Sequence, residues 1–351
     1  MTLNKQGKSM TGILTAKSLS IKIIFCLMVL VVVMGLCSLR GTQHISLQKV
    51  FAGPGSMPGD NIDYEIFAVR LRRVILAALV GAALASCGVV LQAILRNPLA
   101  DPYILGISSG AGMGAIIAVL SGVSWVFWGG SAVTACAFVG AVATVWLVWF
   151  VGHFTGKSQV TSLLLAGVVV NAFFSAVIMF LTSIAKSEQL RWTVYWLMGS
   201  IIDKEPIVLW ISGALILTGI VALFIVCYSL NALALGDEQA RSLGIDPART
   251  RLVAFGFAAF ITAISVSLSG LIGFVGLIIP HGVRLVFGPD HRQLLPVSAI
   301  IGASFLVISD TFARTIFGQE QLPVGVITAI AGGPFFLILL AKYSRRVSWL
   351  R

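Results

Sequence analysis

Few residues in this chain have the type and spacing to do chemistry, and each belongs to a different class. His281 follows Pro280 in Ile279-Pro280-His281-Gly282. There it would either relay a proton or bond a carbonyl left without its helical donor by the proline. Asp310 stands four residues before Arg314, and a local ion pair on one helix face is the favoured reading. Gly156-Lys157-Ser158 ends like a phosphate-cradling loop, but the position five residues earlier is Val151 rather than glycine, so it reads as a connector. The run Gly110-Ala111-Gly112-Met113-Gly114 misses the dinucleotide spacing. With Gly106, its glycines at 110 and 114 make a small-residue stripe on one helix face, which lets membrane helices approach closely. Spans contain no paired carboxylates, and the sequence predicts no catalytic, cofactor or metal site of its own.

The elements that position these residues must lie in lipid. Of 351 residues, 58% are hydrophobic and 11% charged, against about 45–50% and about 25% in soluble domains. That excludes a soluble enzyme, a disordered chain and a basic nucleic-acid-binding domain. The cysteines, Cys26, Cys37, Cys87, Cys136 and Cys227, all sit in apolar runs and read as packing residues rather than a disulfide framework.

A crossing helix needs about 20 largely apolar residues. Single crossings fit 22–40, 73–96, 158–185, 206–236, 293–309 and 321–341. The uncharged stretch 102–156 must be two, broken at 121–130, and 252–283 is two, reversing near the glycines at 270, 273 and 276. The reading is an all-α polytopic membrane protein of ten transmembrane helices, the piece 273–287 being short and broken by Pro280. The first run resembles a signal peptide, yet no small-x-small site follows Leu39, so it reads as a retained helix. Alternation puts fifteen basic and five acidic residues on one side, nine and eight on the other. The positive-inside rule then places both termini in the cytoplasm. The organisation expected is a tail 1–20, one transmembrane domain 21–341 with an outer loop 40–69 and a cytoplasmic loop 231–250, and a tail 342–351.

Four stretches are more specific than composition. Val69-Arg70-Leu71-Arg72-Arg73 precedes the second span, and Gln92-Ala93-Ile94-Leu95-Arg96-Asn97-Pro98-Leu99-Ala100-Asp101-Pro102 follows it, running on to Leu105-Gly106-Ile107-Ser108-Ser109-Gly110-Ala111. Ala232-Leu233-Ala234-Leu235-Gly236-Asp237-Glu238-Gln239-Ala240-Arg241-Ser242-Leu243-Gly244-Ile245 fills the loop after span six. Gly273-Phe274-Val275-Gly276-Leu277-Ile278-Ile279-Pro280-His281 is followed by Asp290-His291-Arg292, and Leu322-Pro323-Val324-Gly325-Val326 opens the last span. In this order the set resembles the permease subunits of ABC importers for iron-siderophores, haem and vitamin B12, over residues 60–340.

The resemblance implies ten helices per subunit in a bacterial or archaeal cytoplasmic (inner) membrane. It implies a second permease subunit (a copy or a paralogue), two cytoplasmic ATPase subunits and an extracytoplasmic substrate-binding protein. ATP and Mg would be used by the ATPase, with no cofactor in this chain. By similarity, 232–247 is the ATPase-coupling loop, with Leu235, Gly236 at a bend, polar contacts Asp237, Glu238, Gln239 and Arg241, and Gly244. The alternative is an ordinary solvated loop. Arg70, Arg73 and Arg314 match the arginines that dock the binding protein, or else anchor to headgroups. The family usually has proline where this chain has Arg72. Val160, Thr161 and Ser162 match the inner gate. Asn171 and Ser175, four apart on one helix face, are pathway polar groups or interhelical bonds. The expected cargo is an iron complex, because iron-chelate systems are the more numerous in the family; cobalamin is the alternative. An ion-coupled secondary transporter is the competing class, and a membrane-embedded enzyme using His281 or Asp310 a third.

Overall fold

The computed structural model describes residues 15–55, 60–123, 126–127, 130–154, 159–318 and 321–347. Apolar runs that must satisfy their own backbone hydrogen bonds in lipid form helices, and helices dominate. In chain order they are α1 (Ala16–Leu39), α2 (Leu47–Phe51), α3 (Ile62–Ile94), α4 (Ile107–Leu120), α5 (Ala132–Phe154), α6 (Gln159–Ser183), α7 (Ser187–Leu197), α8 (Pro206–Ile225), α9 (Cys227–Leu235), α10 (Asp237–Ser242), α11 (Pro247–Ser269), α12 (Val275–Phe287), α13 (His291–Thr315) and α14 (Val324–Val347). A 3-10 turn, Pro102–Leu105, precedes α4. Strands β1 (Val126–Phe127) and β2 (Gly130–Ser131) pair antiparallel between α4 and α5.

Seven helices, α1, α3, α5, α6, α8, α11 and α13, are long and apolar enough to cross a membrane. Shorter apolar helices, α4, α12 and the Val324–Ile338 part of α14, occupy the three remaining stretches read as spans. The reversal at 270–274 is present, between the last turn of α11 and a left-handed Phe274 (φ 69°) that opens α12. Besides α10 in the loop 231–250, two helices, α2 in the loop 40–69 and α7, fall outside every stretch read as a span. α7 lies in the charged segment Ser187-Glu188-Gln189-Leu190-Arg191 onward, where hydropathy alone gives a loop.

The centre is α3. Asn61 Oδ1 accepts from the Tyr64 amide at 3.2 Å, and Asp63 and Glu65 favour the positive helix start. In its most apolar stretch 83% of residues are buried, against 72% in α11 and 67% in α13, while α1 on the periphery has 6%. The small-residue stripe is only partly as expected. Gly110 and Gly114 do lie against α5, where a Cβ on Gly110 would sit 2.7 Å from the Gly140 carbonyl oxygen. Gly106, with φ 75°, instead joins the 3-10 turn to α4, a conformation that favours glycine. The cysteines Cys26, Cys37, Cys87, Cys136 and Cys227 are unpaired. The Gly156-Lys157-Ser158 connector and the tail residues Lys5, Lys8 and Arg351 lie outside the described residues.

Candidate functional site

Chemistry-bearing residues gather at both ends of α3. In its third and fourth turns, Arg70 and Arg73 turn their guanidinia onto protein acceptors. Arg70 is 7% exposed and donates to the carbonyl oxygens of Leu39 (3.3 Å) and Gln43 (2.7 Å). Arg314, at the end of α13, donates to the Cys37 carbonyl oxygen at 2.8 Å. Together they cap the last turn of α1, whose carbonyls would otherwise lack donors. Arg73 embraces Asp310: Nε lies 3.2 and 3.1 Å from its two oxygens and Nη2 2.9 Å from Oδ1. Arg73 Nη1 reaches Gln321 Oε1 at 2.7 Å.

The expected Asp310–Arg314 pair is therefore present but secondary. Its closest approach is 3.6 Å, too long for a hydrogen bond, and Arg314 Nε is buried with no hydrogen-bond acceptor. Arg73 on α3 wins because its fork meets both carboxylate oxygens. Asp310 itself is 1% exposed. Above this group opens a pocket of about 390 Å³, lined by Gln43, Glu65, Arg70, Arg73, Arg314 and Gln321 among others. The three arginines line one pocket, and each has an internal partner that the sequence spacing does not suggest. The signal was there: a lone aspartate in an apolar span needs a cation. Arg72, the departure from the family pattern, makes a two-pronged bond to Asp203 at 2.9 and 2.7 Å.

At the other end of α3 the chain turns at Arg96, a non-glycine residue with φ 47°, a conformation that costs about 1–2 kcal/mol. Its guanidinium donates to the Leu233 carbonyl oxygen at 3.0 Å and contacts Asp237. Arg251 of α11 donates to the same Asp237 oxygen at 2.6 Å. Asp237 opens α10, so two arginines, one in the turn after α3 and one on α11, hold the α9–α10 corner. The Arg251 hydrogen bond, with the charges of Arg251 and Arg96, keeps the Asp237 carboxyl below its ordinary value. Between α9 and α10 stands Gly236 with φ 132°, a bend open to glycine alone without strain. Ala232, Leu233 and Ala240 are buried beneath the corner, whereas Glu238, Gln239, Arg241 and Gly244 are exposed. So are two large apolar side chains, Leu235 at 67% and Leu243 at 55%.

Nearby, Asp290 caps α13 and is held down to about 2 by Arg292, Asn231 and the Arg292 amide. Asp101 behaves oppositely. Only 7% exposed, it accepts from the Tyr103 amide at 2.9 Å, and burial pushes it up to about 6.

Val160 and Thr161 lie in the first turn of α6, and their side chains fall outside the described residues. Ser162, Asn171 and Ser175 are half-buried. The last two border an exposed apolar face bearing Leu165, Val168, Val169 and Phe173. His281 sits edge-on to Phe335 of α14, ring centroids 6.5 Å apart. Its Nδ1 is buried without a hydrogen bond, so that nitrogen does not take up a carbonyl as one reading expected. Gly106-Ile107-Ser108-Ser109-Gly110 spells the G-x-S-x-G of a nucleophile elbow, which corrects the expectation that the chain carries none. Ser108 is 3% exposed and follows a 3-10 turn rather than a strand, so the strand–turn–helix setting is missing. Among the described residues no group of three or more His, Cys, Asp or Glu is placed to hold a metal.

Comparison with known proteins shows the family and the fold. The profile described as the FecCD transport family matches residues 26–342. The cobalamin import system permease protein BtuC of Halobacterium salinarum is 43% identical over 272 residues, 78% of this chain and 72% of that one. The hemin transport system permease protein HmuU of Yersinia pestis is 36% identical over 319 residues, 90% and 94%. A solved structure described as an inward-facing conformation of a metal-chelate type ABC transporter superposes with a TM-score of 0.80 at 30% identity, covering 91% of this chain and 98% of that one.

Proposed function

Since the chain belongs to the FecCD transport family and is an ABC importer permease in a membrane it crosses several times, we propose that it carries an iron complex, a ferric siderophore or haem, across the inner membrane. Cobalamin is the alternative cargo, supported by the name of the Halobacterium relative. In this reading all ten apolar helices cross, with both termini cytoplasmic, and the N-terminal end of α3 faces outward. The charge asymmetry of the loops supports that orientation.

The observation that carries the reading is the α9–α10 corner. A polar surface element that leaves Leu235 and Leu243 exposed beside Glu238, Gln239 and Arg241 has the look of an unoccupied interface, apolar anchors with a charged rim. It would receive a cytoplasmic ATPase, one on each of two permease subunits, and transmit the ATP-driven closure of that partner through Asp237 to α3 and α11. Arg70, Arg73 and Arg314 would meet acidic residues of a binding protein outside. Ser162, Asn171 and Ser175 would border the pathway along α6, with Val160 and Thr161 at its inner gate. The second permease, a copy or a paralogue, would cover the exposed apolar face of α6.

Reconstitution with ATPase subunits and binding protein, offering ferric siderophore, haem and cobalamin side by side, tests this reading. ATP-dependent uptake of one iron complex is expected. Uptake of cobalamin alone would reassign the cargo. Accumulation by liposomes holding only this chain would make it a secondary transporter instead.

A further inference from the structure

The pocket above α13 holds three guanidinia, Arg70, Arg73 and Arg314, against two carboxylates, Glu65 on its wall and Asp310 at its floor. One positive charge is left over, which suits an anionic visitor. The distribution of bonds matters more than the count. Asp310 gives both oxygens to Arg73, at 2.9–3.2 Å. Arg314 is 5% exposed, and its Nε points toward Asp310 Oδ2 at 3.6 Å without bonding it. A buried donor without an acceptor is rare in a folded protein. Here a carboxylate within one small side-chain rotation would fill it. Asp310 thus has two seats, one taken and one vacant, the vacant one at 3.6 Å and so about 0.6–0.7 Å beyond the usual bond length. Arg73, in turn, has one arm on Asp310 and another, Nη1, on Gln321, an exposed residue at the pocket mouth. It is the arginine a visitor would meet.

We propose that Asp310 is an exchangeable internal counter-ion: a carboxylate from an acidic protein docking on this face takes Arg73, and Asp310 passes to the vacant Nε of Arg314. Before docking, Asp310 keeps the buried guanidinia compensated. After docking, no charge is left unpaired. The exchange links the visitor to α13 and, through the bond of Arg314 to the Cys37 carbonyl, to the end of α1. This rests on the reading of the three arginines as docking residues, and its test separates the two.

The permease with its ATPase subunits, in phosphatidylcholine nanodiscs, is titrated with the exported binding protein of the same importer while association and dissociation are followed. Asp310→Asn keeps an acceptor oxygen but removes the competing charge. It should tighten docking roughly tenfold and steepen its salt dependence. Arg314→Lys keeps the charge but has no Nε–H, so Asp310 stays on Arg73 and docking should weaken. If Asp310→Asn does not assemble, the lysine variant decides alone. Should Arg73→Gln weaken docking while Asp310→Asn and Arg314→Lys leave it unchanged, the exchange is overturned and the docking face survives. Unchanged docking in Arg73→Gln removes the docking face itself, and the exchange with it. A gain from Asp310→Asn seen only in phosphatidylglycerol discs would seat a lipid phosphate there and likewise overturn it.

Discussion

Each end of α3 has an aspartate held between two arginines from different parts of the chain, and the two arrangements differ mainly in burial. Asp310 has 1% of its side chain exposed, and its partners Arg73 and Arg314 have 15% and 6%. Asp237 has 35%, and its partners Arg96 and Arg251 have 44% and 10%. Burial raises the cost of breaking an ion pair far more than it raises the pair's worth, because the orphaned charge cannot turn to water. The Asp310 group is therefore costly to leave unpaired, so its carboxylate can only pass from one guanidinium to another, whereas the Asp237 group is a yielding contact.

The comparison can be broken most directly at the buried group. Asp310→Ala leaves two buried guanidinia without their carboxylate and should cost about 3–5 kcal/mol, read as a lowered thermal midpoint of the detergent-solubilised protein. A loss no larger than that of an exposed pair would end the distinction. Asp101, a buried carboxylate with no salt bridge among the described residues, sharpens it from the other side. Its value is raised from 3.8 to about 6, so the charged form is the disfavoured one and stability falls as pH climbs through that window. Asp101→Asn keeps the acceptor for the Tyr103 amide, and should stabilise by up to about 3 kcal/mol at pH 8 and by nothing below about pH 4. Thermal melts across that range check the sign.

Gly236→Val forces a β-branched residue into φ 132°, a strain of about 1–3 kcal/mol confined to the yielding corner. ATP hydrolysis should continue in the assembled importer while uptake is lost; normal uptake would count against the corner as the coupling element. Asp237→Asn should have the smallest effect on stability, about 0.5–1 kcal/mol. Because the folded value of Asp237 is lowered, its contribution exists above about pH 4 and vanishes as pH falls through the depressed value. It should also fade in 1 M salt, where the screening length is about 3 Å, whereas the Asp310 contribution should not.

Much of this was legible beforehand. Long apolar runs gave the helices, and charge gaps gave their limits, because lipid tolerates little else. The ordered motifs gave the family, and with it the α9–α10 corner and the Arg70, Arg73, Arg314 trio. What stayed hidden was pairing across the bundle. A spacing of four suggested Arg314 for Asp310, yet the preferred partner is Arg73, 237 positions away, a relation only packing creates. Arg96 and Arg251 were counted for their sign, not for the shared Asp237. α7 escaped because an amphipathic helix among charged residues has no hydropathy peak.

The attachment of α1 has a consequence for biogenesis. That helix is hardly buried, and its described side-chain ties are at its ends: Arg70 and Arg314 on the carbonyls of Leu39 and Cys37, and Lys22 on Gln293. Arg314 is made 277 residues after Cys37, which at ribosomal speed is on the order of tens of seconds. The leading segment must therefore wait in the bilayer held only by Arg70 and α3 until its last fastening emerges, so a chain cut after it and supplied as two pieces should still find itself and close.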